Sequence, residues 1–182
     1  MISLVQALDD GSTVEVGMIG REGFFGAPLL YGSASTPVEA IVQGTGPALR
    51  LSSGPFMAEV AKNEGLRVWL MRYSGALYAQ TLQTAACNGR HLVAERLARW
   101  LLEVHDRLQT DDMPLRQEFI SYMLGCRRAS VTVGVGTLRR QGAIEIGRGI
   151  VRVKNRRKLE TAACGCYETV RDEFKRLFAK PR

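Results

Sequence analysis

Four cysteines and two histidines are the residues of this 182-residue chain whose side chains could carry out chemistry. Cys87 and His91 stand four positions apart, so on a helix they share one face and could form a metal-ligand pair or a thiol activated by imidazole. No third ligand or orienting carboxylate has a matching spacing, and the sequence therefore favours a buried structural cysteine. For Cys164 and Cys166, plain packing is favoured over a redox-sensing pair of thiols.

The composition excludes several classes of protein. No two cysteines have the CxxC spacing of a zinc ribbon, and a disulfide framework is not expected either. No apolar run reaches the roughly eighteen residues of a membrane span, and no signal peptide is visible. We therefore expect a cytoplasmic, reduced protein with no catalytic residues, no metal site, no cofactor and no membrane contact.

Positive charge is concentrated in the C-terminal part of the chain. Residues 1–110 hold 9 basic and 10 acidic side chains, whereas residues 111–182 hold 16 and 8. Between Arg127 and Lys158, ten basic side chains accompany a single acid, Glu145. Such a balance indicates either a polyanionic partner or a solvated basic face, and the spacing of the residues has to decide between them.

The segment after Pro114 has the spacing of a helix-turn-helix. This motif needs apolar inward positions on a short first helix, a small residue where the helices cross, a glycine at the turn and an apolar anchor six residues later. These requirements are met by Ile120 and Leu124, Ser121, Gly125 and Val131. The opening turns of the second helix, the part that enters the major groove, then carry Arg127, Arg128, Ser130 and Thr132.

We expect Arg127 or Arg128 to read sequence, because an arginine can bond both O6 and N7 of a guanine. Gly134 and Gly136 fall inside the same helix and each costs about 1 kcal/mol relative to alanine, so the helix is expected to be weak in isolation. Alternating apolar residues on either side of a Gly-Arg-Gly sequence predict a hairpin that forms a wing. Arg148, at the tip of this wing, is expected to contact phosphate.

The chain before the motif divides into a β-like region and a helical region. Short apolar runs separated by glycine and proline, the last of them at residues 48–51, indicate a sandwich or barrel. A break is expected at 53–56, and a helical period follows from about Ala58. We expect the apolar face of this long helix to pack against a second copy of the chain rather than against the β region. The residues of that face are Leu66, Leu70, Tyr73 and Leu77. A second helix is expected to end before an acidic, proline-containing boundary at 111–114.

The order of short β region, long helix, helix-turn-helix and winged hairpin resembles the Crp/Fnr superfamily of bacterial transcription regulators, most specifically over residues 115–153. The resemblance implies an α+β fold in three parts. These are a partial β jelly roll of the cyclic-nucleotide-binding type (1–57), a dimerisation helix with a connecting helix (58–110) and a winged helix-turn-helix DNA-binding domain (111–182). It also implies a homodimer that binds a palindromic promoter site in double-stranded DNA, with RNA polymerase as a further partner.

Individual site residues follow from the same resemblance. Arg128 falls on the family's guanine-reading arginine, with Ser130 and Thr132 beside it, and Gln117 is a further DNA-binding candidate. Ala129 stands where many members carry a glutamate, and Val133 where many carry a second polar or basic reader. The base preference of the best-known members is therefore not transferred to this chain.

Residues 20–26 resemble the glycine-rich entry to the family's phosphate-binding cassette, which makes Gly23, Phe24 and Gly26 the candidates for contact with an effector. The later arginine of that cassette is missing, because the corresponding residues 35–38 read Ser-Thr-Pro-Val. Binding of a cyclic nucleotide is therefore not expected. The family's β domain begins earlier than this chain does, so we expect an incomplete β region. The alternative function is a truncated dimeric interaction module that does not bind DNA specifically.

Overall fold

The computed structural model describes residues 1–179. Three strands and a short 3-10 helix (Ala27–Tyr31) come first, three helices follow, and a helix-turn-helix, a small sheet and two further helices complete the chain. The strands are β1 (Ile2–Ala7), β2 (Thr13–Ile19), β3 (Val38–Val42), β4 (Asp112–Met113), β5 (Ile144–Ile146) and β6 (Val151–Val153). The helices are α1 (Ser53–Lys62), α2 (Glu64–Arg90), α3 (Val93–Leu108), α4 (Gln117–Leu124), α5 (Arg128–Arg140), α6 (Arg156–Ala162) and α7 (Cys166–Phe178).

The N-terminal sheet is antiparallel and has the order β2-β1-β3, with β1 in the centre. Ile2 pairs with both Ile19 and Val42, and the β1–β2 register shifts between Leu4 and Val5. Residues 48–51 are not a strand, which corrects the sequence-based expectation. Leu49 and Leu51 in this segment are exposed, so the alternation of apolar residues there has no sheet to pack against.

The helical region begins earlier than its sequence suggests. α1 starts at Ser53, within the break that the sequence predicts at 53–56. The proline at position 55 is tolerated because it lies in the first helical turn, where its missing N–H breaks no hydrogen bond. α2 is capped by Asn63, whose Oδ1 accepts a 2.9 Å hydrogen bond from the backbone N–H of Leu66. It continues through Asn88 and Gly89 to Arg90.

The predicted dimer-facing residues of α2 lie on its inward face. Leu70 and Tyr73 are 3% and 0% exposed within a single chain, and Leu66 and Leu77 are half-buried. The Tyr73 ring packs against Phe24, from the β region, at a centroid distance of 5.4 Å. Residues already buried in the monomer cannot line a contact with a second copy. The assignment of Leu70 and Tyr73 to the dimer contact is therefore corrected: they belong to the intramolecular core.

One continuous core connects the β region to the DNA-binding motif. It joins Val5 and Met18 of the sheet, the buried face of α3 and the inward residues of α4, α5 and the small sheet. That sheet has the order β4-β6-β5, and Ile144 pairs with Val153 across the predicted hairpin. The predicted α+β class, with a β-rich N-terminal part and a C-terminal helix-turn-helix, is confirmed.

α3 packs against α5 and α6, although the sequence analysis grouped it with the long helix. Its Trp100 is 1% exposed and lies next to the ring of Phe119 from α4, at 6.4 Å between centroids. The division of the chain at residues 57 and 110 stays a prediction. Within residues 1–179, no helix is both long enough and apolar enough to cross a membrane.

Candidate nucleic-acid interface

The helix-turn-helix is formed by α4 and α5 with a tight turn between them. α4 ends at Gly125, which has φ 57°, the left-handed conformation that glycine adopts without strain. Its N–H donates to the carbonyl of Tyr122 at 3.1 Å. Val131, the predicted anchor, is fully buried, and so are Ile120 and Leu124. The sequence-derived roles of these residues therefore agree with their positions in the motif.

Close packing explains one of the two glycines inside α5. A Cβ at Gly134 would lie 3.4 Å from the Cα of Ala94, at the tight edge of van der Waals contact, so α3 and α5 pack closely at this point. At Gly136, the nearest atom to a Cβ would be the flexible Nη1 of Arg140, also at 3.4 Å. Gly134 thus belongs to the packing of the motif, whereas Gly136 lies on the more open side of the helix.

The predicted base-reading side chains surround the start of α5. Arg127, Arg128 and Thr132 are exposed, and Ser130 and Gln117 are half-buried. The Thr132 hydroxyl donates to Oε1 of Gln117 at 2.9 Å, which fixes the first residue of α4 against the first turns of α5. This contact brings together two of the predicted DNA-binding residues from different helices.

The wing reaches the same region through a residue that the sequence analysis missed. Arg148 is exposed at the wing tip, next to Gly149, which has φ 73°. The Cγ of Arg116 lies 3.7 Å from where a Cβ on Gly149 would be. Arg116 immediately precedes Gln117, so the wing tip, the start of α4 and the start of α5 form a connected series of contacts. We call this the basic surface: Arg116, Gln117, Arg127, Arg128, Thr132 and Arg148.

Ion pairs neutralise only part of the basic segment. Arg152 pairs with Asp112 in a short bidentate contact, and Lys154 pairs with Glu145 at 2.5 Å. These partners hold the pKa of both carboxyl groups below its ordinary value. Among residues 1–179, no carboxylate lies within ion-pairing distance of the arginines of the basic surface. The basic surface therefore carries uncompensated positive charge.

Val133 adds an apolar contact point beside these polar groups. It is 68% exposed, and it directly follows Thr132 on α5. An exposed apolar side chain on a recognition helix can contact the C5-methyl group of thymine in the major groove. Val133, which stands where many family members carry a polar or basic residue, is therefore suited to contact thymine.

The effector candidates lie in two different surroundings. Gly23 touches the Tyr73 ring so closely that a Cβ there would overlap the hydroxyl. Phe24 and Gly26 line a cavity of about 480 Å³ between the sheet and α2. Near them, Glu22 forms an ion pair with Arg107 of α3, with Nε and Oε1 separated by 3.1 Å. The role of these residues in effector binding stays a prediction.

The pair Cys87 and His91 and the pair Cys164 and Cys166, which are distant in sequence, meet in space. The ligand atoms of Cys87, His91, Cys164 and Cys166 all lie within 4.8 Å of one another. The hydrogen bond from the Cys164 thiol lowers the pKa of the Cys87 thiol below its ordinary value. Cys87 and His91 thus have a third and a fourth candidate ligand close in space, although neither has a matching spacing along the chain, which corrects the expectation of no third ligand. The signal in the sequence that could have revealed this cluster is the presence of two closely spaced pairs of potential ligands, Cys87 with His91 and Cys164 with Cys166.

Comparison with known proteins agrees with this geometry. The model of the Crp-like helix-turn-helix domain matches residues 95–162, from α3 to the end of α6. The c-di-GMP responsive global regulator CLP from Xanthomonas campestris has a similar structure, with a TM-score of 0.65 at 14% identity over 85% of this chain and 80% of that one. FixK2 from Bradyrhizobium japonicum has a TM-score of 0.63 at 18% identity over 90% and 83%. No curated protein matches the chain.

A CRP-family transcriptional regulator from Thermus thermophilus is similar too, with a TM-score of 0.60 at 25% identity over 89% of this chain and 83% of that chain. A winged helix-turn-helix with an exposed basic surface defines the class as DNA-binding regulators. Residues 95–162 therefore form a Crp-like helix-turn-helix domain, and the chain has a fold similar to that of solved Crp/Fnr-family transcription regulators.

Proposed function

We propose that the chain acts as a homodimer that binds a palindromic promoter site, with one recognition helix in each half-site. The connected basic surface is the observation that carries this proposal. Arg127 and Arg128 stand at the start of α5 without carboxylate partners among the described residues, so their guanidinium groups are available to base edges. Arg116 and Arg148 flank them and supply phosphate contacts, which position the protein without reading sequence.

The second copy would contact an exposed stripe on α2, opposite the face that packs on the β region. The stripe repeats at alternating steps of three and four residues, which is the heptad spacing of a two-stranded coiled coil. Its large members are each about half exposed in the single chain. They are Val68 (47%), Met71 (47%), Tyr78 (65%) and Leu82 (52%), with Gly75 between them. We refer to these five residues as the α2 stripe.

The effector would occupy the cavity of about 480 Å³ between the sheet and α2. Its lining contains no charged side chain, and the aromatic residues Phe24, Phe25, Tyr31 and Tyr78 contribute to it. An anionic phosphate placed there would have no cation to offset its desolvation. An apolar effector therefore fits this cavity better than a cyclic nucleotide, although the Xanthomonas relative responds to c-di-GMP.

Such a protein has no catalytic step, and it would act in the cytoplasm, where promoter DNA and RNA polymerase are. Signal transfer requires that effector binding change the placement of the two recognition helices, which must lie about one DNA turn apart. The cavity and the α2 stripe meet at Tyr78, which lines the cavity and is also a member of the stripe. A ligand in the cavity could therefore alter the dimer contact directly.

Selection from a random duplex pool tests the proposal. The purified full chain is mixed with the pool at near-physiological salt, and the bound fragments are sequenced. We expect a palindrome with half-sites one helical turn apart. The same selection with Arg128→Ala should lose preference at one base of each half-site, worth about 1–3 kcal/mol. If a folded protein enriches no sequence, the proposal of a dimeric regulator is contradicted. If Arg128→Ala selects the same motif as the wild type, the proposed role of Arg128 is contradicted.

A further inference from the structure

Four side chains that the DNA-binding function does not use, three of them buried and one half-buried, form a cluster at one end of α2. Cys87 lies in the last turn of α2, and His91 is the residue that follows its end. Cys164 lies in the link between α6 and α7, and Cys166 is the first residue of α7. The three cysteines are 0%, 8% and 4% exposed, and they form a small cluster separate from the main core.

The separations of the ligand atoms fit a single tetrahedral ion. A zinc ion with bonds of about 2.3 Å to sulfur and about 2.0 Å to nitrogen holds its ligand atoms about 3.5–3.8 Å apart. Here the Sγ atoms of Cys87 and Cys164 are 3.5 Å apart, and Sγ of Cys166 is 3.5 Å from Nδ1 of His91. All four ligand atoms lie within 4.8 Å of one another. Only small side-chain adjustments separate this arrangement from a coordination shell.

We propose that Cys87, His91, Cys164 and Cys166 bind one Zn²⁺ ion in a closed Cys₃His site that fastens the end of α2 to the start of α7. Three thiolates and one imidazole, with no open position, are the ligands of structural zinc sites. Binding releases the thiol protons to solvent, four metal–ligand bonds form, and no electron is transferred. The ligands come from both sides of the matched Crp-like domain, at 87–91 before it and at 164–166 after it.

The surroundings of the cluster support an anionic metal centre. Nε2 of Gln83 donates to Sγ of Cys166 at 3.0 Å, which is the kind of outer contact that orients a ligand. Arg99 of α3 is 2% exposed, and its Nη1 pairs with Glu103 at 2.8 Å. Its Nε is buried without a hydrogen-bond partner. A zinc ion with three thiolates carries one net negative charge, and the Arg99 guanidinium, which is shared with Glu103, acts on Cys87 and Cys164 with the opposite sign.

The two alternatives make different chemical demands. Plain packing of three thiols leaves a histidine beside them without a reason for its placement. A disulfide between Cys87 and Cys164 would require their sulfur atoms to approach from 3.5 Å to about 2.05 Å and an oxidant to accept two electrons. Either arrangement would leave the protein without bound metal, so metal content separates both of them from the proposal.

The test measures metal in the full-length protein, purified with a thiol-free reductant and without an affinity tag that binds metal. We expect about one zinc per chain by elemental analysis. After removal with a chelator, Co²⁺ should give the visible absorption and the thiolate charge-transfer band of a tetrahedral site. Zinc returned to the apoprotein should raise its Tm. A folded wild-type protein that takes up neither Zn²⁺ nor Co²⁺ would overturn the proposal.

Variants locate the ion. Cys166→Ser and His91→Ala should weaken Co²⁺ binding at least tenfold and remove or shift its thiolate band. Cys126→Ser is the matched control, since Cys126 lies in the helix-turn-helix turn and is not part of the cluster. It should bind Co²⁺ as the wild type does. Equal loss of binding in Cys126→Ser, or full retention in Cys166→Ser, would place the metal elsewhere. Circular dichroism on each variant confirms that the comparison is between folded proteins.

Discussion

The indole N–H of Trp100 donates a 2.9 Å hydrogen bond to the carboxyl group of Glu15, and this contact joins the β region to the DNA-binding part of the chain. Glu15 lies on β2 and is 5% exposed, and its other carboxyl oxygen accepts from the Ser3 hydroxyl. Burial raises the pKa of Glu15 to about 8, although both hydrogen bonds act in the opposite direction. Burial therefore keeps the Glu15 carboxyl group protonated in the folded protein below about pH 8.

The first prediction is that the protein loses stability as pH rises toward 8. Between the ordinary pKa of a glutamate and about 8, the folded state holds a proton that the unfolded state has released. The free energy of unfolding therefore falls with rising pH, with a limiting slope of about 1.4 kcal/mol per pH unit from this group. Thermal unfolding in a pH series measures it. Glu15→Gln imitates the protonated form and should flatten the profile.

Glu39→Gln is the control for this experiment, because Glu39 is an exposed carboxylate on β3 of the same sheet. It should keep the pH dependence of the wild type. A pH profile of Glu15→Gln that still falls as steeply as that of the wild type would assign the effect to another group. Arg99 and Glu103 are the charged residues that also act on Glu15, with opposite signs.

The second prediction concerns the wing. Arg148→Ala should weaken binding to specific and random duplexes by similar factors and lower the slope of log affinity against log salt by about one ion. Arg152→Ala is the matched control, since Arg152 is on the same wing but is neutralised by Asp112. It should change the slope less. Fluorescence anisotropy over a salt series measures both, and a loss confined to one base sequence would show that Arg148 reads bases.

The third prediction tests the α2 stripe. Leu82→Glu puts a charge into an apolar contact with a second copy, so it should shift the protein from dimer to monomer and reduce binding to a palindromic site. Leu49→Glu makes the same chemical change at a fully exposed leucine outside the stripe and should leave the dimer intact. Analytical ultracentrifugation measures the mass. A monomeric wild type, or a dimeric Leu82→Glu, would remove the stripe from the interface.

The fourth prediction uses the two glycines of the recognition helix. Gly136→Ala should raise the free energy of unfolding by up to about 1 kcal/mol, because alanine restricts the unfolded chain and only a flexible arginine end must move. Gly134→Ala should gain less, since its Cβ would press on the backbone of α3 at Ala94. Urea unfolding of both variants measures the difference. A larger gain for Gly134→Ala would contradict the close packing of α3 and α5.

Local patterns in the sequence were sufficient to predict the helix-turn-helix and the wing. Gly125 at the turn, Val131 at the anchor and the Gly-Arg-Gly wing tip each depend on contacts or backbone angles set within about forty residues. Arg116 was missed because its importance comes from its approach to Gly149, a distance that no spacing along the chain encodes. The strand expected at residues 48–51 failed for a related reason: β propensity needs a sheet to pack against.

The amino-acid sequence by itself determined the order of elements, the position of the turn and the concentration of positive charge, because these depend on neighbouring residues and on composition. Only the tertiary structure decided which face of α2 is buried, since Leu70 and Tyr73 have the same helical period as a dimer contact but meet the protein's own β region. It also decided that Cys87 and His91 meet Cys164 and Cys166. These contacts join residues that are more than seventy positions apart in the sequence, so they depend on how the helices pack. Helical periodicity shows which residues share a face of a helix but not what that face contacts.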